Sequence, residues 1–142
     1  MNDLDFKIIK GQICPYCTCE TKIVSGDLIY PDFANVSPRP KFLDKFFYVC
    51  IDNLDHYVGT YADNKTSLGR VANKELRNLK QQGHSIFDPL WIEKTYFKNQ
   101  KEAYKWLSCK MNIPIEYTHF GMFTIEQCLK AINFCNEIKN DF

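Results

Sequence analysis

The chain has 142 residues, of which 45% are hydrophobic and 15% aromatic, so it is not a disordered segment and can bury the core of a compact domain. Basic residues number 18 against 17 acidic ones, which excludes binding to nucleic acid through a strongly basic overall charge and leaves only a local basic patch. No apolar run reaches the roughly 18 residues of a membrane span, and the charged start lacks an apolar signal core. We therefore expect a soluble, cytoplasmic protein without a membrane partner.

Strands are predicted in the first half of the chain. Apolar and aromatic residues favour strands around Ile23, over residues 41–50 and over residues 57–61. The pair Gly26-Asp27 favours a tight turn, so we expect the strand at Ile23 to form a β-hairpin with the residues that follow this pair.

Residues 68–91 have the pattern of an amphipathic helix. At 100° per residue one side is apolar and the opposite side is polar and basic. The apolar side consists of Leu68, Ala72, Leu76, Leu79, Gly83, Ile86 and Leu90. Pro89 is expected to stop the helix, and Gly83 costs ~1 kcal/mol relative to alanine, so the segment is either one helix or two shorter ones with a bend.

Two further helices are predicted from their capping residues. Asn99 with Glu102 and Thr124 with Gln127 have the spacing of capping boxes at helix starts. A buried core is expected from apolar residues of all three helices: Leu76, Leu79, Leu90, Trp106, Leu107, Leu129 and Ile132. Cys109, Cys128 and Cys135 fall in these helical patterns and are expected to be buried as small apolar side chains.

The four remaining cysteines point to a metal site. The chain has seven cysteines, an odd number, and no export signal, so metal ligands are favoured over disulfides. Cys14 and Cys17 are two residues apart on a predicted turn, where both thiolates can reach one tetrahedral Zn²⁺. Cys50, at the end of a predicted strand, supplies a third ligand as in a zinc ribbon.

The fourth ligand is less clear from the sequence. His56 is the best candidate because imidazole is a good zinc ligand, and Asp55 and Cys19 are alternatives. A site closed by four protein ligands would be structural. The other interpretation is a relic that has lost its metal and buries its cysteines as small apolar side chains.

The order of strands first and helices afterwards indicates an α+β protein. We expect an N-terminal zinc-ribbon-like, β-rich half, residues 1–65, packed on a C-terminal three-helix half, residues 66–142, as one compact unit.

Two histidines and an aspartate form a second candidate site. His84 and Asp88 are spaced i, i+4 and face the same way on a continuous helix. If His119 folded over them, the three could hold a metal or perform acid–base chemistry, as in a small metal-dependent hydrolase or nuclease. The structural interpretation, which we favour, is that they fix the turn at Pro89 and a buried junction.

Four basic residues form a candidate surface for nucleic acid. Arg70, Lys74 and Arg77 make a stripe on the predicted helix, with Lys80 beside it. Such charges are usually a solvated helix face, but beside a zinc ribbon they could lie along a phosphate backbone.

Four segments of the chain resemble a known family. They are CPYC at Cys14–Cys17, YVG at Tyr57–Gly59 running into LGRVANKELRNLK, then HSIFDPLW, and HFGMFTIEQC ending at Cys128. Together they resemble the small zinc-finger-containing domain proteins of bacteria and their phages. The resemblance implies a zinc site with a cysteine where this chain has Leu54. Thr18 stands where such zinc knuckles usually carry a glycine, which eases the turn.

We therefore expect a zinc-stabilised, non-catalytic binding module that attaches to nucleic acid or to a host protein, in the context of a phage or prophage accessory protein. The first alternative is the metal-dependent hydrolase or nuclease that uses His84, Asp88 and His119. The second is a phage inhibitor of a host enzyme, which acts by surface mimicry.

Overall fold

The computed structural model describes residues 2–140 and confirms the predicted α+β class, with a three-stranded sheet near the N-terminus and helices in the C-terminal half. The strands are β1 (Thr21–Ser25), β2 (Phe46–Cys50) and β3 (Tyr57–Gly59). The helices are α1 (Asp3–Ile9), α2 (Gly26–Ile29), α3 (Lys74–Phe87), α4 (Pro89–Ile92), α5 (Gln100–Met111) and α6 (Ile125–Asn140). The chain divides into two compact units between Lys74 and Glu75. Within residues 2–140, every helix is too short or too polar to cross a membrane.

The sheet is antiparallel in the order β1-β2-β3, and its two faces have different roles. Because side chains alternate along a strand, Phe47 and Tyr57 lie on one face, where the ring of Tyr30 packs against both. Cys50 and Val58 lie on the other face and join a buried cluster with Cys14. This second face supports the candidate metal site.

The predicted hairpin at Gly26-Asp27 is wrong. These residues begin the short helix α2, and β1 pairs instead with β2, about twenty residues further on. Gly26 is needed for close packing, since a Cβ atom there would lie 2.2 Å from the carbonyl oxygen of Phe42. Its own N–H donates to the carbonyl oxygen of Lys45, the residue before β2, at 2.8 Å. Gly26 therefore continues the pairing of β1 with β2 and does not form a tight turn.

The N-terminal part of the predicted central helix, residues 68–73, is not helical. Ala72 exchanges two backbone hydrogen bonds with Tyr57, of 3.0 and 3.2 Å, and the N–H of Leu68 donates to the carbonyl oxygen of Gly59 at 2.9 Å. The segment therefore lies along the outer edge of β3, and this pairing replaces the helical hydrogen bonds that its sequence favours. Helix α3 begins only at Lys74 and then continues without a break through Gly83 to Phe87.

The two later helices begin as predicted. The Asn99 side chain accepts the N–H of Glu102 at the start of α5, and Thr124 and Gln127 form the reciprocal pair before α6. The left-handed backbone of Asn112 then ends α5.

The predicted helical core is confirmed in part. Leu76, Leu90 and Leu107 are buried, as are Cys128 and Cys135. Leu79, Trp106 and Ile132 are only half-buried.

Leu129 and Cys109 are exposed, so their predicted burial is wrong. On α6 the inner positions belong to Cys128, Ala131 and Cys135, and a residue one step from Cys128 turns 100° away from them. On α5 the position of Cys109 lies about 200° from that of the buried Leu107, which places it on the opposite side of the helix.

Candidate metal centre

The first ligand loop is a tight turn that brings Cys14 and Cys17 together. The N–H of Thr18 donates to the carbonyl oxygen of Cys14 at 2.8 Å, and the N–H of Cys14 donates to the carbonyl oxygen of Cys19 at 2.9 Å. Thr18 has a φ of 58°, in the left-handed region that glycine occupies most easily. The turn therefore keeps its geometry with a threonine at a strained position.

The second ligand loop connects β2 to β3 and carries Cys50 and His56. The N–H of Cys50 donates to the carbonyl oxygen of His56 at 2.9 Å, which closes the loop. Inside it Asn53 accepts two backbone N–H groups: its carbonyl oxygen accepts that of His56 at 3.0 Å, and its Oδ1 accepts that of Asp55 at 2.9 Å. Sequence reasoning overlooked Asn53, although asparagine in a short polar loop is a known turn signal.

The four predicted ligands come together in space. One ligand atom from each of Cys14, Cys17, Cys50 and His56 lies within 4.8 Å of all the others. The Nδ1 atom of His56 is 3.6 Å from the Sγ atom of Cys14 and 3.7 Å from that of Cys17. A tetrahedral zinc with Zn–S of about 2.3 Å and Zn–N of about 2.0–2.1 Å requires an S···N separation of about 3.6 Å. The loops therefore hold these atoms at the spacing of a zinc-bound pair.

The candidate metal site is buried where it faces the sheet and partly exposed to solvent at the first ligand loop. Cys14 and Cys50 are completely buried, and Cys17 packs against the same cluster. The ring of Tyr16 lies against the imidazole of His56, with centroids 4.6 Å apart. The hydroxyl of Tyr16 accepts the N–H of Asn73, the residue before α3, at 3.1 Å. The first ligand loop is therefore hydrogen-bonded to Asn73 within the same compact unit.

Ionisation of the Cys17 and Cys19 thiols is unfavourable in their surroundings, and the pKa of each is raised. The pKa of Cys17 is raised to about 12, first by its hydrogen bond with Cys50, then by burial and by the neighbouring Cys14. The pKa of Cys19 is raised as well, chiefly by its hydrogen bond with Cys50 and by burial. A divalent cation among these thiols would reverse the effect, because it stabilises the thiolates.

The two alternatives for the fourth ligand lie outside the group. Cys19 contacts Cys50, with the sulfur atoms 3.1 Å apart, but does not belong to the set of four mutually close ligand atoms. Asp55 is exposed and does not belong to it either. The geometry favours His56 over both.

Comparison with known families agrees with this site. The chain matches the family described as a zinc-finger-containing domain over residues 10–138. It belongs to this family. No curated protein and no solved structure matches the chain. The matched region of this zinc-finger-containing domain includes both ligand loops and the helices α3 to α5.

The second candidate site consists of His84, Asp88 and His119, and each of these side chains makes contacts in the structure. The Nδ1 atom of His84 lies 3.4 Å from Oδ2 of Asp88, and its ring packs against Phe120. His119 is half-buried against the ring of Tyr104, and burial lowers its pKa. Within residues 2–140, Cys14, Cys17, Cys50 and His56 form the one group of three or more His, Cys, Asp or Glu residues that could hold a metal ion.

The basic stripe is shorter than the sequence predicts. Lys74, Arg77 and Lys80 lie on α3, and Lys74 is exposed. Arg70 lies on the extended segment that pairs with β3, so its place on a common helical face is wrong. Their contact with nucleic acid stays a prediction.

Proposed function

We propose that this zinc-finger-containing domain is a zinc-stabilised, non-catalytic binding module that attaches to nucleic acid or to a partner protein. The observation that carries the proposal is the closed set of one imidazole nitrogen and three sulfur atoms. Structural zinc sites use four protein ligands, whereas a catalytic zinc keeps one position for water or substrate. A zinc ion held by all four of these side chains would have no such position.

The role of the zinc would be to fix the two ligand loops. Their ligands come from residues 14–17 and 50–56, which are joined through the sheet by the pairing of Thr21 with Cys50. Zinc binding supplies folding free energy, because the site does not exist in the unfolded chain. The side chain of Tyr16, which contacts both His56 and the backbone of Asn73, would be fixed with them.

The surface that best fits a phosphate backbone is the side of α3 that carries Lys74, Arg77 and Lys80. Lys74 follows Asn73 directly, so a fixed first ligand loop also fixes the position of this charge. The near balance of charge over the whole chain favours weak, salt-sensitive binding.

A mobility-shift titration from low to physiological salt tests the nucleic-acid partner. Lys74→Gln should weaken binding about equally for any base sequence and reduce the slope of log affinity against log salt by about 0.7–0.9. Lys130→Gln, which removes an exposed charge on α6, is the matched control and should have no effect.

Two outcomes separate the partners. Tight binding that ignores both salt and Lys74→Gln would contradict a phosphate contact at this surface. A protein-binding module would give no shifted band even at low salt, and Lys74→Glu would then change the capture of its partner without any nucleic-acid signal.

A further inference from the structure

A fourth sulfur atom lies beside the three that belong to the metal site. The Sγ atom of Cys19 is 3.1 Å from that of Cys50, in a pair of which Cys50 is completely buried and Cys19 half-buried. The sheet register explains this proximity. Thr21, the first residue of β1, lies opposite Cys50, and Cys19 lies two residues before Thr21, so the register brings the end of the first ligand loop next to Cys50.

Resting on the proposed zinc site, we infer that Cys19 is a positioning residue that donates its S–H to the zinc-bound thiolate of Cys50. A metal-bound cysteine is deprotonated and can only accept, so a hydrogen bond between the two sulfur atoms requires Cys19 as donor. Two thiolates at this distance would instead repel one another strongly.

A buried thiolate needs such donors. The Cys50 side chain has no contact with solvent, so hydrogen bonds from the protein must take the place of those from water. The backbone N–H of Asp52 supplies one to Cys50 Sγ at 3.4 Å, and Cys19 supplies a second. Groups that hydrogen-bond to metal ligands hold their orientation and raise the affinity for the metal.

The test is a competition of the full chain with a chromophoric chelator for Zn²⁺. Cys19→Ala removes the donor and should lower zinc affinity about tenfold. Cys19→Val, which is close to cysteine in size, should show the same loss and replaces Cys19→Ala if that variant fails to fold. Cys19→Ser keeps a hydrogen-bond donor and should remain within about threefold of the wild type. Cys109→Ala, which removes an exposed cysteine on α5, should leave the affinity unchanged.

Co²⁺ absorption separates a donor from a ligand. Charge-transfer absorbance from thiolate to Co²⁺ grows with the number of bound thiolates, so it should be equal in the wild type, Cys19→Ala and Cys19→Ser. Unchanged zinc affinity in Cys19→Ala and Cys19→Val, or an absorbance reduced by one thiolate, would overturn the inference. A wild-type chain that binds no zinc would instead contradict the proposed function, and with it the inference.

Discussion

Gly83→Ala should destabilise the helical unit, although alanine is the better helix former. Gly83 lies in the middle of α3 and is buried. A Cβ atom there would lie 2.2 Å from Cε1 and 2.4 Å from Cδ1 of the Phe120 ring. Favourable contact between carbon atoms needs about 3.5–4.0 Å, so the ring would have to move by more than about 1 Å.

The Phe120 ring has little room for such a movement. It is completely buried, and its centroid lies 5.2 Å from that of Phe123, 5.2 Å from that of His84 and 5.8 Å from that of Phe87. Overpacking costs typically 1–3 kcal/mol and more when the neighbours are rigid, whereas replacing a helical glycine by alanine gains about 1 kcal/mol. Because the ring is enclosed, we expect a cost at the upper end of this range and a net loss of about 2 kcal/mol in the free energy of unfolding.

Denaturant unfolding followed by tryptophan fluorescence measures this loss. Gln82→Ala, at the exposed neighbouring position, is the control and should change stability by less than about 0.5 kcal/mol. In a Phe120→Leu background Gly83→Ala should cost less, because the ring that it meets is gone. A Gly83→Ala variant more stable than the wild type would refute this reasoning.

Three further predictions concern the helical core, the pH dependence of stability and the removal of zinc. Leu107→Ala should cost ~2–5 kcal/mol because the side chain is completely buried, whereas Leu129→Ala, at an exposed site, should cost less than about 1 kcal/mol; equal losses in denaturant unfolding would contradict the assigned faces. Burial lowers the pKa of His119, so its imidazole binds a proton more tightly in the unfolded chain than in the folded one. The stability that neutral His119 contributes is therefore lost as the pH falls below the ordinary pKa of 6.5. His119→Gln should therefore lose less stability than the wild type between about pH 7 and pH 5.5. Chelation of zinc should unfold the unit that contains β1 to β3 first, and hydrogen exchange should show lower protection there than in α5 and α6.

The sequence predicts those parts of the fold that depend on local signals. The helix starts at Asn99 and Thr124 are confirmed, because each cap is made by hydrogen bonds between residues only three apart in the chain. The candidate ligands could be chosen for a similar reason. Cys14 and Cys17 share one turn, and Cys50 and His56 share one loop. Residue type and spacing therefore identify the candidate zinc ligands without knowledge of how the two loops meet in the fold.

Non-local backbone pairing limited the prediction elsewhere. Residues 68–73 have a helical apolar period, but their hydrogen bonds go to β3, which a local pattern does not contain. The sequence predicts a turn at Gly26, whereas the structure requires glycine there because Phe42 and Leu43 approach it closely. The contact of Cys19 with Cys50 depends likewise on the register of β1 with β2, which the sequence does not fix.

Native mass spectrometry of untagged protein, purified without chelators, measures most directly whether the zinc site exists. The wild type should have the mass of the chain plus one zinc ion. Cys50→Ser should be largely metal-free, because three ligands remain around a buried polar substitution, while Cys109→Ser should keep the metal. A wild-type chain that appears only at its metal-free mass, even after incubation with Zn²⁺, would contradict the site and the binding module that it is proposed to stabilise.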